Sequence, residues 1–189
     1  MKSRTRFLWI KLHTYFSCFF LPLAIMYLAT GMLHMMDVDG GVRSEKQFEV
    51  TLPDGIPEAE EDVRAIMLPL MREKGQDMTL PADYYYEPKE RYIGWYGYKG
   101  QVYFEPLAEP EKAILHIKKH DLWHQFLLIH KGHAGPIFWV VGLLFGLSLL
   151  FSLVSGLVIA IAVPMFRRTS IVFTLLGVVA LTVGITLGV

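Results

Sequence analysis

The chain has a single cysteine, Cys18, among 189 residues. An intrachain disulfide and a metal cage built of cysteines alone are thereby excluded. Charge is scarce as well: 19% of residues are Asp, Glu, Lys or Arg, against roughly 25% in soluble domains. The gaps come in blocks. No acid precedes Asp37 or follows Asp121, so all 18 acids fall in the middle of the chain. Outside 37–131 the only charges are basic: Lys2, Arg4, Arg6, Lys11, Arg167 and Arg168. Net charge is zero, which gives no reason to expect nucleic acid as a partner. There is no P-loop, dinucleotide fingerprint, nucleophile elbow or metalloprotease pair. The acids Glu58, Glu60, Glu61 and Asp62 read as a helix start, so a hydrolase has no residues to rest on.

What is abundant is apolar sequence. Residues 15–36, 137–166 and 171–189 carry no charge, and about 20 apolar residues cross a ~30 Å hydrocarbon core. Three spans are expected: 15–36, 137–163 stopping before Pro164, and 171–189, with a cytoplasmic turn over 164–170. Lys and Arg collect on the cytoplasmic side of spans, so the tail 1–14 and the turn with Arg167 and Arg168 read as cytoplasmic. The polar segment then lies outside, periplasmic in an inner membrane, and its 18 acids against 12 basic residues agree. The first span reads as an uncleaved anchor. Its apolar stretch is too long for a signal peptide, and Ala29-Thr30-Gly31 is its only small-x-small site. Small residues let helices in lipid approach closely. Gly142, Gly146, Ser148, Ser152 and Gly156 in span two, with Ala180, Gly184 and Gly188 in span three, suit packing of the two spans on one another or a homodimer.

Within 37–120 the sequence predicts a strand over 46–52, a turn at Pro53-Asp54-Gly55, and a helix over 57–74. Pro57 opens that helix, with acids at its positive dipole end. Val63, Ile66, Met67, Leu70 and Met71 share one helical face. Gly75 stops the helix, and Pro69 should kink or shorten it. Strands follow over 84–86, 91–98, 101–105 and 113–118, with Lys99-Gly100 as a hairpin turn. A linker helix is expected over 121–136 with Asp121 as its N-cap. The dense aromatics of 84–104 serve as sheet core and cross-strand pairs, or as a surface for a partner or the headgroup layer. The fold class is an α+β membrane protein: three transmembrane helices, with a small periplasmic α+β domain inserted between the first and second.

These pieces resemble a known family. A basic N-terminus with Lys11-Leu12-His13 enters a span that closes on Leu28-Ala29-Thr30-Gly31. Leu128-Ile129-His130-Lys131-Gly132-His133-Ala134-Gly135 precedes a span containing Ser155-Gly156-Leu157. Both stretches resemble the PepSY-associated transmembrane helix family, and the insert with its hairpin is similar to a PepSY domain. The resemblance implies an accessory or subunit component of a membrane complex, seated in the lipid bilayer, whose PepSY domain meets a membrane or periplasmic protein partner. Larger members, with four spans, resemble haem-b ferric-siderophore reductases. They imply a second reading, a haem-b-binding electron-transfer component of iron utilisation or respiration. His13 matches the family's histidine at the start of the first span, and His130 its Leu/Ile-His position before the second.

Seven histidines hold the chemical content of the chain. A bis-histidine haem needs two neutral rings at one depth on facing helices. His34 lies at the end of the first span. His130 and His133 precede the second, roughly 10 and 5 Å above its start at ~1.5 Å per residue. His34 with His130 or His133 is therefore the candidate haem-b pair; the plainer reading is interfacial histidines bonded to water or headgroups. Spans two and three contain no histidine, so His13 has no visible partner and a second haem would need another chain. His116, His120 and His124 repeat every four residues. On one helix, neighbours could chelate a metal, but no fixed carboxylate or thiol completes four ligands, and a solvated polar face is the plainer reading.

Overall fold

The computed structural model describes residues 3–76, 78–87 and 92–188. The elements, in order, are α1 Ser3–His34, β1 Val42–Thr51, α2 Glu60–Glu73, β2 Asp83–Glu87, β3 Tyr92–Gly97, β4 Gly100–Pro106, β5 Lys112–His120, α3 Leu122–His130, α4 Pro136–Ala162 and α5 Pro164–Leu187. Helices α1, α4 and α5 are long and apolar enough to cross a membrane, which makes this a multi-pass membrane protein with an α+β insert. Two compact units divide the chain, Met1–Ala24 with Leu143–Val189, and Ile25–Gly142.

In the first unit α1 lies against α4. Lipid tails are as apolar as leucine, so helices there are held by close packing and polar pairs rather than by the hydrophobic effect. The pairs are His13 Nδ1 with Ser155 Oγ at 2.9 Å and Ser17 Oγ with Ser152 Oγ at 3.1 Å. Phe151 meets both Trp9 and Phe16, and Phe20 meets Phe145. The small residues of span two therefore serve α1. The expected packing of span two on span three is not found, because α5 has no buried residue. The basic turn is also replaced. Pro164 begins α5 at its first helical position, where a missing N–H costs nothing. Arg167 thus sits inside α5, and its Nε donates to the Ile161 carbonyl at 2.9 Å.

The second unit holds one antiparallel sheet in the order β1-β5-β4-β3-β2. Helix α2 covers one face. Val63, Met67 and Met71 of α2 join Val50, Ile93, Trp95, Val102, Phe104, Leu115 and Ile117 in the core. The expected face is correct: Ile66 and Leu70 pack at its margin. The helix starts three residues later than expected. Residues 57–59 stay outside it, and Glu58 is held from its carbonyl by Tyr84 Oη and from its carboxylate by Tyr86 Oη. Pro69 does not end the helix, since it lies on the exposed side, where the lost ladder bond faces water.

The hairpin turn is Tyr98-Lys99 rather than Lys99-Gly100. Gly97 and Gly100 pair as strand residues, and neither Tyr98 nor Lys99 has a positive φ. The glycine at 100 answers a different need. A Cβ there would lie 2.1 Å from the Lys118 carbonyl oxygen on β5, so only glycine lets β4 approach that closely.

Met67 is completely buried between α2 and the sheet. Met67→Ala should destabilise the insert by about 2–5 kcal/mol, whereas Glu61→Ala on the exposed side should stay within about 0.5 kcal/mol. Pulse proteolysis of the detergent-solubilised full chain in urea measures both. Equal losses would show that the core face is assigned wrongly.

Candidate functional site

The polar chemistry of the second unit concentrates where α1 ends and α3 begins. Seven residues, Met35 to Gly41, separate the end of α1 from β1, and the backbone groups of Val38 to Gly41 need partners. Asp121 supplies two. Its Oδ2 accepts from Gly41 N at 2.6 Å and its Oδ1 from His124 N at 2.7 Å, which also caps α3 as the sequence predicts. In return Asp121 N donates to the Gly41 carbonyl at 2.9 Å. Trp123 Nε1 donates to the Val38 carbonyl and His124 Nδ1 to the Asp39 carbonyl, both at 2.9 Å. Gly40 has φ +72°, and a Cβ there would stand 2.6 Å from His124 N. The loop thus needs glycine both for its φ and for the close approach. Hydrogen bonds from the His124 and Gly41 backbone hold the Asp121 carboxyl below the usual carboxylate range.

His130, the last residue of α3, faces α1. Its Nδ1 lies 2.7 Å from Thr30 Oγ1, and its ring stacks on Tyr27 at 4.4 Å. Thr30 is fully buried and gives its own proton to the Met26 carbonyl at 2.8 Å. With that proton on the carbonyl, the hydroxyl accepts from the ring, an arrangement that puts the His130 proton on Nδ1 and leaves a lone pair on Nε2. Burial, followed by the nearby His34 and Lys131, pushes the His130 ring below the usual histidine value, which favours this neutral form. Gly31 lies under the ring edge, where a Cβ would be 3.3 Å from His130 Cε1.

His34 pairs through Nδ1 with Asp39. That bond is the main cause of a lowered Asp39 pKa. The same logic applies within the first unit. Ser155 Oγ donates to the Ser152 carbonyl at 3.1 Å, so it accepts from His13 Nδ1. The contact of His13 in this chain is thus a hydroxyl on α4. His133 stands apart. It is exposed and lines a cavity with Tyr98, Lys99 and Ala134.

The four-residue histidine repeat does not form one helical face. His116 and His120 belong to β5 and His124 to α3. Nor are the strand histidines solvated, since His116 is 5% and His120 4% exposed. His116 holds Glu45 at 3.0 Å through Nδ1 and Glu105 at 2.7 Å through Nε2, and stacks flat on Tyr103 at 4.6 Å. Gln47 and His116 hold the Glu45 carboxyl down to about 2. His120 Nδ1 donates to the Tyr98 carbonyl, and its ring lies 4.5 Å from His124. Burial lowers the His120 pKa. Sequence reasoning passed over the Glu45–His116–Glu105 bridge. Its only signal was polar residues alternating with apolar ones on three strands whose neighbours were not known.

The tautomers are directly measurable. In ¹⁵N-histidine spectra of the full chain, His13 and His130 should both carry the proton on Nδ1. Thr30→Val should shift His130 alone, since it removes the only acceptor that fixes that ring. A His130 signal of the Nε2–H form in the unmodified chain would refute the assignment.

Compared with protein families, with characterised proteins and with solved structures, the chain matches none.

Proposed function

We propose that the chain is an accessory or subunit component of an inner-membrane complex, with its N-terminus cytoplasmic and its insert, a PepSY-like domain, presented in the periplasm to a protein partner. The observation that carries this reading is the second face of the sheet. Alternation along the strands puts Tyr85, Tyr92, Tyr96 and Tyr103 on the face opposite α2. Three of them are half-buried and keep surface available. Burial, followed by the neighbouring Tyr103, Tyr92 and Tyr96, raises the Tyr85 phenol above its usual value, and the Tyr92 ring meets Tyr103 at 5.4 Å. Tyrosine is enriched in protein interfaces because a large, stiff ring buries much area and loses few rotamers. Gently solubilised membranes should yield the chain in a larger complex on native gels. Tyr85→Asp combined with Tyr96→Asp should release it with the circular dichroism unchanged. A chain that migrates alone, or a complex that survives both changes, overturns the reading.

A second reading has its own support: the Nδ1 contacts of His34 and His130. A histidine that ligates a metal offers one nitrogen and anchors the other on an oxygen, which fixes ring and tautomer. His34 and His130 are both anchored at Nδ1, on Asp39 and Thr30. They are the residues that would hold a haem b, and the group would supply one-electron chemistry when bound. His133, set among the residues of a different cavity, fits less well. Protein purified from haem-replete cells should then show a reduced-minus-oxidised haem-b spectrum, lost in His34→Ala and kept in His120→Ala. Colourless protein ends this reading and leaves the first untouched.

A further inference from the structure

Charge in the second unit is sorted along the strands. The loop between β4 and β5, the end of β1 and the start of α2 lie at one end of the sheet and carry Asp54, Glu58, Glu60, Glu61, Glu109 and Glu111. The other end holds the Tyr98-Lys99 turn, the start of β1 and the end of β5. Arg43 and Lys119 lie there, Lys119 directly opposite Gly100 in the register. Lys131 follows α3. Among the described residues, Arg64, Lys74, Lys112 and Lys118 form ion pairs, while Arg43, Lys99, Lys119 and Lys131 form none. At the basic end Asp39 and Asp121 are engaged by His34, Gly41 and His124, which leaves Asp37 and Asp83 among the described residues.

The basic end also has a measurable depth. The Tyr98 ring meets Phe138 at 5.5 Å, edge to face. Phe138 is the third residue of α4, only ~3 Å along the helix from its start. The headgroup layer is roughly 5–7 Å thick on each side of the hydrocarbon core, so a hydrocarbon boundary at the start of α4 would set the hairpin tip within it. Trp139, in the same turn of α4, is 61% exposed, as in the aromatic belts found at that level. Between the hairpin tip and the segment before α4 lies a cavity of about 190 Å³, with Lys99, His133, Tyr98, Thr79, Pro81 and Ala134 on its walls. That is far more than the ~10–15 Å³ needed for one water.

We propose that this cavity binds the phosphate of an anionic phospholipid headgroup, with Lys99 and His133 donating to the phosphate oxygens and Tyr98 beside the glycerol. Lys99 suits the task because its ammonium has no carboxylate partner among the described residues and lies over the Tyr98 ring at 5.6 Å. The proposal rests on charge and depth, and does not depend on which partner the domain meets.

The test titrates the full chain in detergent with dihexanoyl phosphatidylglycerol, dihexanoyl phosphatidylcholine or inorganic phosphate, read by native mass spectrometry. The anionic lipid should bind at least about fivefold more tightly than the zwitterionic one, and Lys99→Gln should weaken it about fivefold, the effect of one cation at a membrane surface. His133→Gln should weaken it too, and Lys46→Gln, on the middle of β1, should not. Both cavity residues are exposed, so thermal unfolding should be unchanged. Equal affinity for the two lipids overturns the proposal. So does a preference that survives both cavity substitutions, or one that Lys46→Gln reduces as much as Lys99→Gln does. If inorganic phosphate displaces the lipid at equal concentration, the site takes a free anion and the lipid assignment fails.

Discussion

The carboxylate of Asp121 is the interaction on which the second unit depends. A chain leaving a membrane helix and turning into a sheet exposes backbone N–H groups, and burying them unpaired is costly. Asp121 meets one such group from the loop after α1 and one from the first turn of α3. Charged acceptors make shorter and stronger hydrogen bonds than neutral ones, and these measure 2.6 and 2.7 Å. Pairing of β1 with β5 brings the two segments together, since Val42 stands opposite His120. Trp123 and His124 extend the same clasp with bonds to Val38 and Asp39. The loop after α1 and the start of α3 are thereby tied at one polar junction.

The histidines show how one residue type takes several roles according to its neighbours. After α1 and at the end of α3 a carboxylate or a hydroxyl sits at Nδ1, Asp39 at His34 and Thr30 at His130. On β5 two carboxylates face the two ring nitrogens of His116. Glu45 and Glu105 are both within bonding distance of the buried ring, and the Tyr103 ring covers its face. His120, a few residues away, meets a carbonyl rather than a carboxylate, and burial keeps it neutral.

The spans follow a different rule from the sheet. In water, Val63, Met67 and Met71 are driven against the sheet by their apolar area. In lipid that drive is missing, and α1 and α4 are joined by serine, histidine and aromatic contacts. Helix α5 has neither, and every residue from Ile171 to Gly188 is exposed, a surface suited to lipid.

Three apolar spans, a polar α+β insert, the buried face of α2 and the N-cap at Asp121 were all legible in the sequence, because they are local. Run length, helical period and capping chemistry are properties of neighbouring residues. The strand ends and the hairpin turn were less so. Tyr98-Lys99 was displaced by Gly100, whose glycine is required by the Lys118 carbonyl on another strand. Span two was expected against span three because both carry small residues, yet its serines bond α1, a choice set by where His13 and Ser17 fall on the facing helix. The sequence also named His34 and His130 as border residues. Only the tertiary structure decided that Asp39 and Thr30 hold them, that His133 lines a separate cavity, and that His116 sits between two carboxylates. Each of those outcomes is a contact between residues far apart in the chain, and strand register and helix rotation, which fix such contacts, leave no mark on the local pattern.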